Sequence, residues 1–264
     1  MRHLIVVVTL MVLGLATEAK LHTQRVAYRD GDAVLKGYLA VDDSFKAPRP
    51  GVLVVPEWWG LGPYAERRAD QLAAMGYVAL AADIYGNGTY TRDGQEAAKL
   101  SGRFKDDPKL LRSRVTAALE ALKKQKGVDP SRIAAIGYCF GGTTVLELAR
   151  SGAPIAGVVS FHGGLRTSEP ARRGEILCKV LVCTGADDPH VPAEDVTSFE
   201  EEMRKSGADW QVVAYGGAVH GFTNPENGGD PSKRGLRRAR RPPFVAGHGE
   251  LLRGDLRFCK AVSP

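Results

Sequence analysis

Short apolar runs alternate with segments of helical period along most of the chain. Residues 26–28 and 33–41 flank Asp30-Gly31-Asp32, a hairpin signal that predicts two antiparallel strands. Residues 52–55 are apolar at every position, as a parallel strand covered on both faces requires. Pro63 opens a helical pattern with Ala69, Leu72 and Ala73 on one face, and Gly76 closes it. Further strands are predicted over 77–82, 133–136, 155–160, 180–184 and 210–215. Further helices are predicted over 93–100, from Asp107-Pro108 to Gly127, after Gly141, and over 193–206.

Such alternation implies an α/β fold, a mostly parallel, doubly wound sheet of about eight strands with helices on both faces. Ligands in these sheets sit beyond the C-terminal ends of the strands. The residues just past strand ends are therefore the candidates for chemistry. Cys139 follows strand 133–136, Asp187 and Asp188 follow strand 180–184, and His220 follows strand 210–215. The order nucleophile, acid, histidine is that of the α/β-hydrolase fold.

Cys139 stands in Gly137-Tyr138-Cys139-Phe140-Gly141, between an apolar strand and a helical pattern carrying Val145, Leu146 and Ala149. This is the setting of a nucleophile elbow, with Cys in the place of the usual Ser. The two glycines lack the Cβ atoms that would collide with the neighbouring strand and helix. The turn aims the sulfur out of the sheet at a helix N-terminus, where unpaired N–H groups favour a thiolate and a developing oxyanion. An isolated Cys is more often a small buried hydrophobe. An acid and a histidine at the same sheet edge weigh against that here.

The two ends read differently from the middle. Met1-Arg2-His3 is a short basic head, residues 4–15 are an apolar run short for a membrane span, and Ala16-Thr17-Glu18-Ala19 offers small residues at a cleavage position. This predicts a secretory signal peptide over 1–19, with the mature protein secreted or periplasmic; an uncleaved anchor is the alternative. The α/β domain is assigned to 20–232. Residues 233–264 hold nine of the 36 Lys and Arg but only two of the 30 Asp and Glu, so the net charge of +6 belongs to this tail. Lost helical period and abrupt arginine enrichment there suggest a shifted reading frame, set against a native disordered basic tail. The rest is near neutral, and no nucleic-acid partner is expected. Cysteines at 139, 178, 183 and 259 show no zinc spacing, and neither metal nor cofactor is expected. Cys178 and Cys183 bracket one strand and lie too far apart to bridge.

Several segments together resemble the dienelactone hydrolase family, cysteine-dependent members of the α/β-hydrolase fold. They are Pro56-Glu57-Trp58-Trp59-Gly60, residues 67–73 and 76–86, the elbow through Gly142, Asp188-Pro189-His190-Val191-Pro192 and His220-Gly221-Phe222. The resemblance implies a triad of Cys139, Asp188 and His220, with Asp187 as a turn residue. It implies an oxyanion hole from the backbone N–H groups of Phe140 and Trp58. Glu57 matches a glutamate that approaches the resting thiol and modulates it. The implied activity is hydrolysis of a small ester or lactone, in the manner of a carboxymethylenebutenolidase, through an acyl-thioester. A monomer with no membrane anchor after signal cleavage is expected. The alternative is a non-catalytic α/β-hydrolase-fold protein that binds a ligand or senses thiol redox state.

The chain also departs from the family pattern. Where well-known members carry arginines for a substrate carboxylate, it reads Tyr85-Gly86-Asn87 and Thr223-Asn224. A less charged pocket is therefore expected, lined by Trp59, Tyr85, Tyr138, Phe161 and Phe222 beside Trp58, though core is the usual place of an aromatic. His162-Gly163-Gly164 is read as a strand-exit turn, and His190 and His248 as solvated side chains.

Overall fold

The computed structural model describes residues 21–226. The expected signal peptide, the basic tail, His248 and Cys259 lie outside them. Eight strands form one sheet in the order β1-β2-β4-β3-β5-β6-β7-β8. They are β1 (Leu21–Asp30), β2 (Ala33–Asp42), β3 (Arg49–Val55), β4 (Val78–Ala81), β5 (Val128–Tyr138), β6 (Gly157–Phe161), β7 (Lys179–Gly185) and β8 (Trp210–Tyr215). The β1–β2 hairpin and the β2–β4 pair are antiparallel, and every other pairing is parallel.

Five helices connect the strands: α1 (Pro63–Ala73), α2 (Gly94–Lys105), α3 (Pro108–Lys123), α4 (Phe140–Arg150) and α5 (Ala193–Ser206). Their ends follow from local chemistry. Pro63 sits in the first turn of α1, where a missing N–H costs nothing. The Asp93 carboxylate accepts from Gln95 and Glu96 N–H at the start of α2, and Asp107 accepts from Leu110 N–H at the start of α3. Gly207 closes α5 in the left-handed conformation. The sequence places α5 and β8 at their observed bounds. It underestimates α2, which runs on to Lys105, and β5, which begins at Val128. The early residues of β5 are polar, but Val128 and Asp129 pair with Arg49 and Pro50 ahead of a register shift.

Period-two alternation sends successive side chains to two cores. Leu53, Val55, Ile133, Ala135, Val158, Val180 and Val182 pack on the side of α3, α4 and α5. Val52, Val54, Ala134, Ile136, Val159 and Leu181 pack on the side of α1. Cys178 belongs to the first core and Cys183 to the second, so the sheet itself stands between the two sulfurs. Among the described residues no helix is long and apolar enough to cross a membrane.

Two features fix the loops that overhang the C-terminal sheet edge. The buried Asp83 carboxylate accepts from the N–H groups of Lys36, Gly86 and Gly88, which shapes the exit from β4. That exit then zips against the loop after β3: Leu61 N–H donates to Thr89 O, Thr91 N–H donates to Trp59 O, and Tyr85 Oη donates to Trp58 O.

Candidate active site

Cys139 lies between β5 and α4 with φ 54° and ψ −115°, a conformation that L-residues seldom adopt. Two near-contacts make this turn possible. A Cβ on Gly137 would stand 1.9 Å from Gly141 O, and one on Gly141 would stand 2.2 Å from Val55 O. Glycine at both positions lets the elbow close and lets the β3 exit lie directly against it. Phe140 heads α4, so its N–H has no acceptor within the helix. Pro56, Glu57 and Trp58 follow Val55 immediately, which brings the Trp58 loop to the same place.

The three residues expected as a triad meet. His220 Nε2 is 3.1 Å from Cys139 Sγ, and His220 Nδ1 is 2.9 Å from Asp188 Oδ2. The other carboxylate oxygen, Oδ1, accepts from His190 N–H at 2.9 Å. Asp188 is buried, whereas Asp187 is exposed and contributes its N–H to Ala218 O, as a turn residue does. Burial alone would lower the His220 pKa. The hydrogen bonds and charges of Asp188 and Cys139 outweigh it and push the value up to about 10. The ring is thus a strong base toward the thiol, held in one tautomer by the acid behind it.

Glu57 is buried and its Oε2 accepts from Asn224 Nδ2 at 3.3 Å. Burial raises its pKa, while the Asn224 bond and the charges of His220 and Arg68 oppose the rise. Trp58, Trp59 and Tyr85 are half-buried, and the Tyr85 ring packs 5.6 Å from Phe140. Burial, reinforced by the Cys139 charge, raises the Tyr85 pKa and keeps the phenol a neutral donor.

Three residues expected in the pocket lie elsewhere. Tyr138 and Phe161 are almost fully buried and stack on each other with centroids 5.1 Å apart, in the core beneath α1. Strand alternation turns both away from the side on which Trp58, Tyr85 and Phe140 gather. Phe222 is buried in that same core, against Tyr215. These three are packing side chains, whereas Trp58, Trp59 and Tyr85 are half-buried in the loops past the strand ends.

Two histidines beside the triad were not anticipated. His190 is exposed, yet its ring lies 4.8 Å from that of His220. His162 is wholly buried, 5.2 Å from His220, and its Nδ1 accepts at 3.1 Å from the N–H of Cys139, which also donates to Phe161 O at 2.9 Å. His162-Gly163-Gly164 is the strand exit that the sequence predicts, and the register of β6 against β5 brings His162 to the elbow. Among the described residues no group of three or more His, Cys, Asp or Glu could hold a metal ion.

Comparison with known proteins shows the family and the fold. The chain is 27% identical over 205 residues to protein usf of Aquifex pyrophilus, covering 76% of this chain and 87% of that one. It is 29% identical over 186 residues to the carboxymethylenebutenolidase homolog of Xenopus tropicalis, covering 67% and 71%. Among solved structures it resembles the dienelactone hydrolase-like promiscuous phosphotriesterase P91 from metagenomic libraries. The TM-score is 0.79 at 39% identity, over 92% of this chain and 98% of that chain. A structure titled m3DLH gives a TM-score of 0.82 at 38% identity, over 92% and 99%. The family model for dienelactone hydrolases matches residues 35–240. With its eight-stranded sheet and the cysteine, acid and histidine at one sheet edge, the chain belongs to the dienelactone hydrolase family and is a hydrolase of the α/β-hydrolase fold.

Proposed function

We propose that the protein cleaves a small, uncharged ester or lactone with Cys139 as nucleophile. The observation that carries this is the continuous contact Sγ–Nε2–Nδ1–Oδ2 through Cys139, His220 and Asp188, at 3.1 and 2.9 Å. His220 takes the thiol proton, and the sulfur bonds to the substrate carbonyl carbon. The carbonyl oxygen becomes an oxyanion facing the N–H groups of Phe140 and Trp58, an interaction typically worth ~3 kcal/mol per donor. The C–O bond to the leaving group then breaks, and His220 returns the proton to the departing alkoxide. Water, deprotonated by His220, attacks the thioester, and the acid leaves as the thiol re-forms.

The uncharged substrate is inferred from the mouth. Asn224 stands where an arginine would be needed for a substrate carboxylate, and its amide is engaged with Glu57. Trp58, Trp59 and Tyr85 offer aromatic surface instead. The likeness to a protein titled a promiscuous phosphotriesterase supports a second reading, in which the same thiol attacks an uncharged aryl phosphotriester. Export through the apolar run at 4–15 is part of the proposal. It is checked by N-terminal sequencing of protein recovered from a periplasmic fraction.

The test is turnover of a panel of aryl esters, lactones and one diethyl aryl phosphate by the wild-type chain and by Cys139→Ala. Ester or lactone turnover lost in the variant supports the first reading. Turnover of the phosphotriester alone favours the second. Equal rates in both proteins would overturn cysteine chemistry.

A further inference from the structure

The buried His162 sits at the centre of a hydrogen-bonded chain that the triad does not explain. Its Nδ1 accepts from Cys139 N–H at 3.1 Å, and its Nε2 lies 2.8 Å from Thr223 Oγ1. Thr223 Oγ1 in turn lies 3.0 Å from Tyr64 Oη, and Tyr64 Oη accepts from Arg68 Nη2 at 3.0 Å. Arg68 Nη2 also donates to Thr223 O at 2.8 Å. The Cys139 N–H is shared between Phe161 O at 2.9 Å and His162 Nδ1 at 3.1 Å. A ring nitrogen that faces an N–H carries no hydrogen of its own, so a neutral His162 holds its proton on Nε2 and donates it to Thr223. The ring therefore bonds at one end to the nucleophile's own peptide. At the other end it bonds to a residue three positions beyond His220.

The surroundings keep it neutral. Burial, and then the charge of His220, hold its pKa well below the ordinary value, with Arg68 acting the same way. The titratable groups around it are His220, Arg68, Tyr138, Cys139, Cys183 and, through Thr223, Tyr64. A proton on Nδ1 would turn the contact with Cys139 into two opposed donors. Its own backbone stands at φ 42°, a left-handed value rarely taken by a residue with a side chain. Strain at two residues joined by a hydrogen bond, Cys139 and His162, is a pattern found where surroundings over-determine a working geometry.

We infer that His162 is a positioning residue: as the neutral Nε2–H tautomer it ties the Cys139 turn to the loop carrying His220, and so sets the distance between sulfur and base. This rests on Cys139 and His220 being the reacting pair. The two loops come from opposite sides of β6 in the sheet order, and the thiol–imidazole contact is one link between them. A third residue bonded to both removes the freedom of one to drift from the other, and such misplacement is costly to rate.

The test uses the full chain with His162→Leu, His162→Asn, Thr223→Val and Cys139→Ala, all assayed on one aryl ester. Asn can accept from Cys139 N–H where Nδ1 does, and Leu cannot. His162→Leu is expected to lower kcat at least tenfold with KM within about threefold, and His162→Asn, which keeps the Cys139 bond and loses the one to Thr223, to recover only part of that loss, as Thr223→Val retains part of the activity. The second readout is the pH dependence of Cys139 alkylation by iodoacetamide. Its midpoint should rise in His162→Leu, because a displaced His220 no longer supports the thiolate, and should rise less in His162→Asn and Thr223→Val, each of which keeps one of the two bonds. Should His162→Leu fail to fold, Thr223→Val removes the second bond and should shift the same midpoint in the same direction. Wild-type kcat and alkylation profiles in folded His162→Leu or Thr223→Val would overturn the inference. So would His162→Asn behaving no better than His162→Leu. If Cys139→Ala retains full activity, the underlying cysteine reading fails instead.

Discussion

Asn224 Nδ2 donates to Glu57 Oε2 across 3.3 Å, so a buried acid within electrostatic reach of His220 has a neutral amide as its partner. An amide satisfies the carboxylate's hydrogen bonding without neutralising its charge. Burial therefore dominates, and the Glu57 pKa is raised.

The sign of the resulting pH effect is fixed. A carboxyl that holds its proton more tightly in the folded chain loses it more readily on unfolding, so its ionisation favours the unfolded state. The penalty is absent below the unfolded carboxylate range and complete above the raised folded value. Glu57→Gln should therefore raise the midpoint of thermal unfolding at pH 7 and leave it nearly unchanged at pH 4. The same variant removes a negative charge within electrostatic reach of His220, so the imidazole titration should move down. An unchanged imidazole titration would show that Glu57 does not act on the triad base.

His220 titrates in the opposite sense. Its pKa is raised above the unfolded value, so the stability it contributes is complete below about 6.5 and is lost as pH rises through about 10. Part of the rise comes from Cys139, through a hydrogen bond and through charge. Cys139→Ala should move the imidazole titration, followed by NMR, down toward the ordinary histidine range. Asp188→Asn should move it down as well and lower kcat by about 10³–10⁴-fold, the scale on which triads lose activity when the acid can no longer fix the tautomer.

The elbow tolerates no added methyl. Gly141→Ala would place its Cβ 2.2 Å from Val55 O, a backbone atom that the sheet holds in place, and α4 holds the Cα that carries it. Overpacking of this kind costs about 1–3 kcal/mol or more. Urea unfolding should register it, and the surviving folded fraction should show reduced kcat because the Trp58 loop is pushed off the elbow. Gly94→Ala, where a Cβ meets nothing within 4 Å, is the matched control.

Helix α4 is anchored by a buried charge cluster. Arg150, 1% exposed at its side chain, pairs with Glu147 at 2.9 Å and Glu202 at 2.7 Å, and also donates to Leu165 O. Arg112 pairs with Glu147 from α3 at 2.8 Å. Removing one member strands the others without water. Arg150→Leu should destabilise the fold by about 3–5 kcal/mol. Pairing it with Glu202→Leu should restore part of that loss, which a double-mutant cycle would measure.

The triad was legible because each member lies just past the end of an apolar strand, and the α/β architecture brings such positions to one edge. Cys139, Asp188 and His220 needed only strand recognition and chain order. The aromatic mouth was only partly legible. Trp58, Trp59 and Tyr85 lie in loops that pair across the edge. Tyr138 and Phe161 are flanked by the same kinds of residue, and only the face of the sheet on which each falls separates core from pocket. His162 was illegible for a different reason. Its partners lie 23 and 61 positions away, and no local pattern marks a histidine whose acceptor nitrogen meets a backbone N–H. The register between β5 and β6 decides it, and register is a property of the assembled sheet.

The sheet that separates Cys178 from Cys183 also sorts the protein's sulfur by reactivity. Burial pushes the Cys178 thiol up to about 11, and Cys183 is fully enclosed, whereas Cys139 is half-exposed and opposite a strong base. With Cys259 changed to Ser, a thiol reagent added to the native protein should consume one equivalent quickly and the other two only on denaturation. The fast equivalent then counts competent molecules, so a preparation carries its own active-site titration.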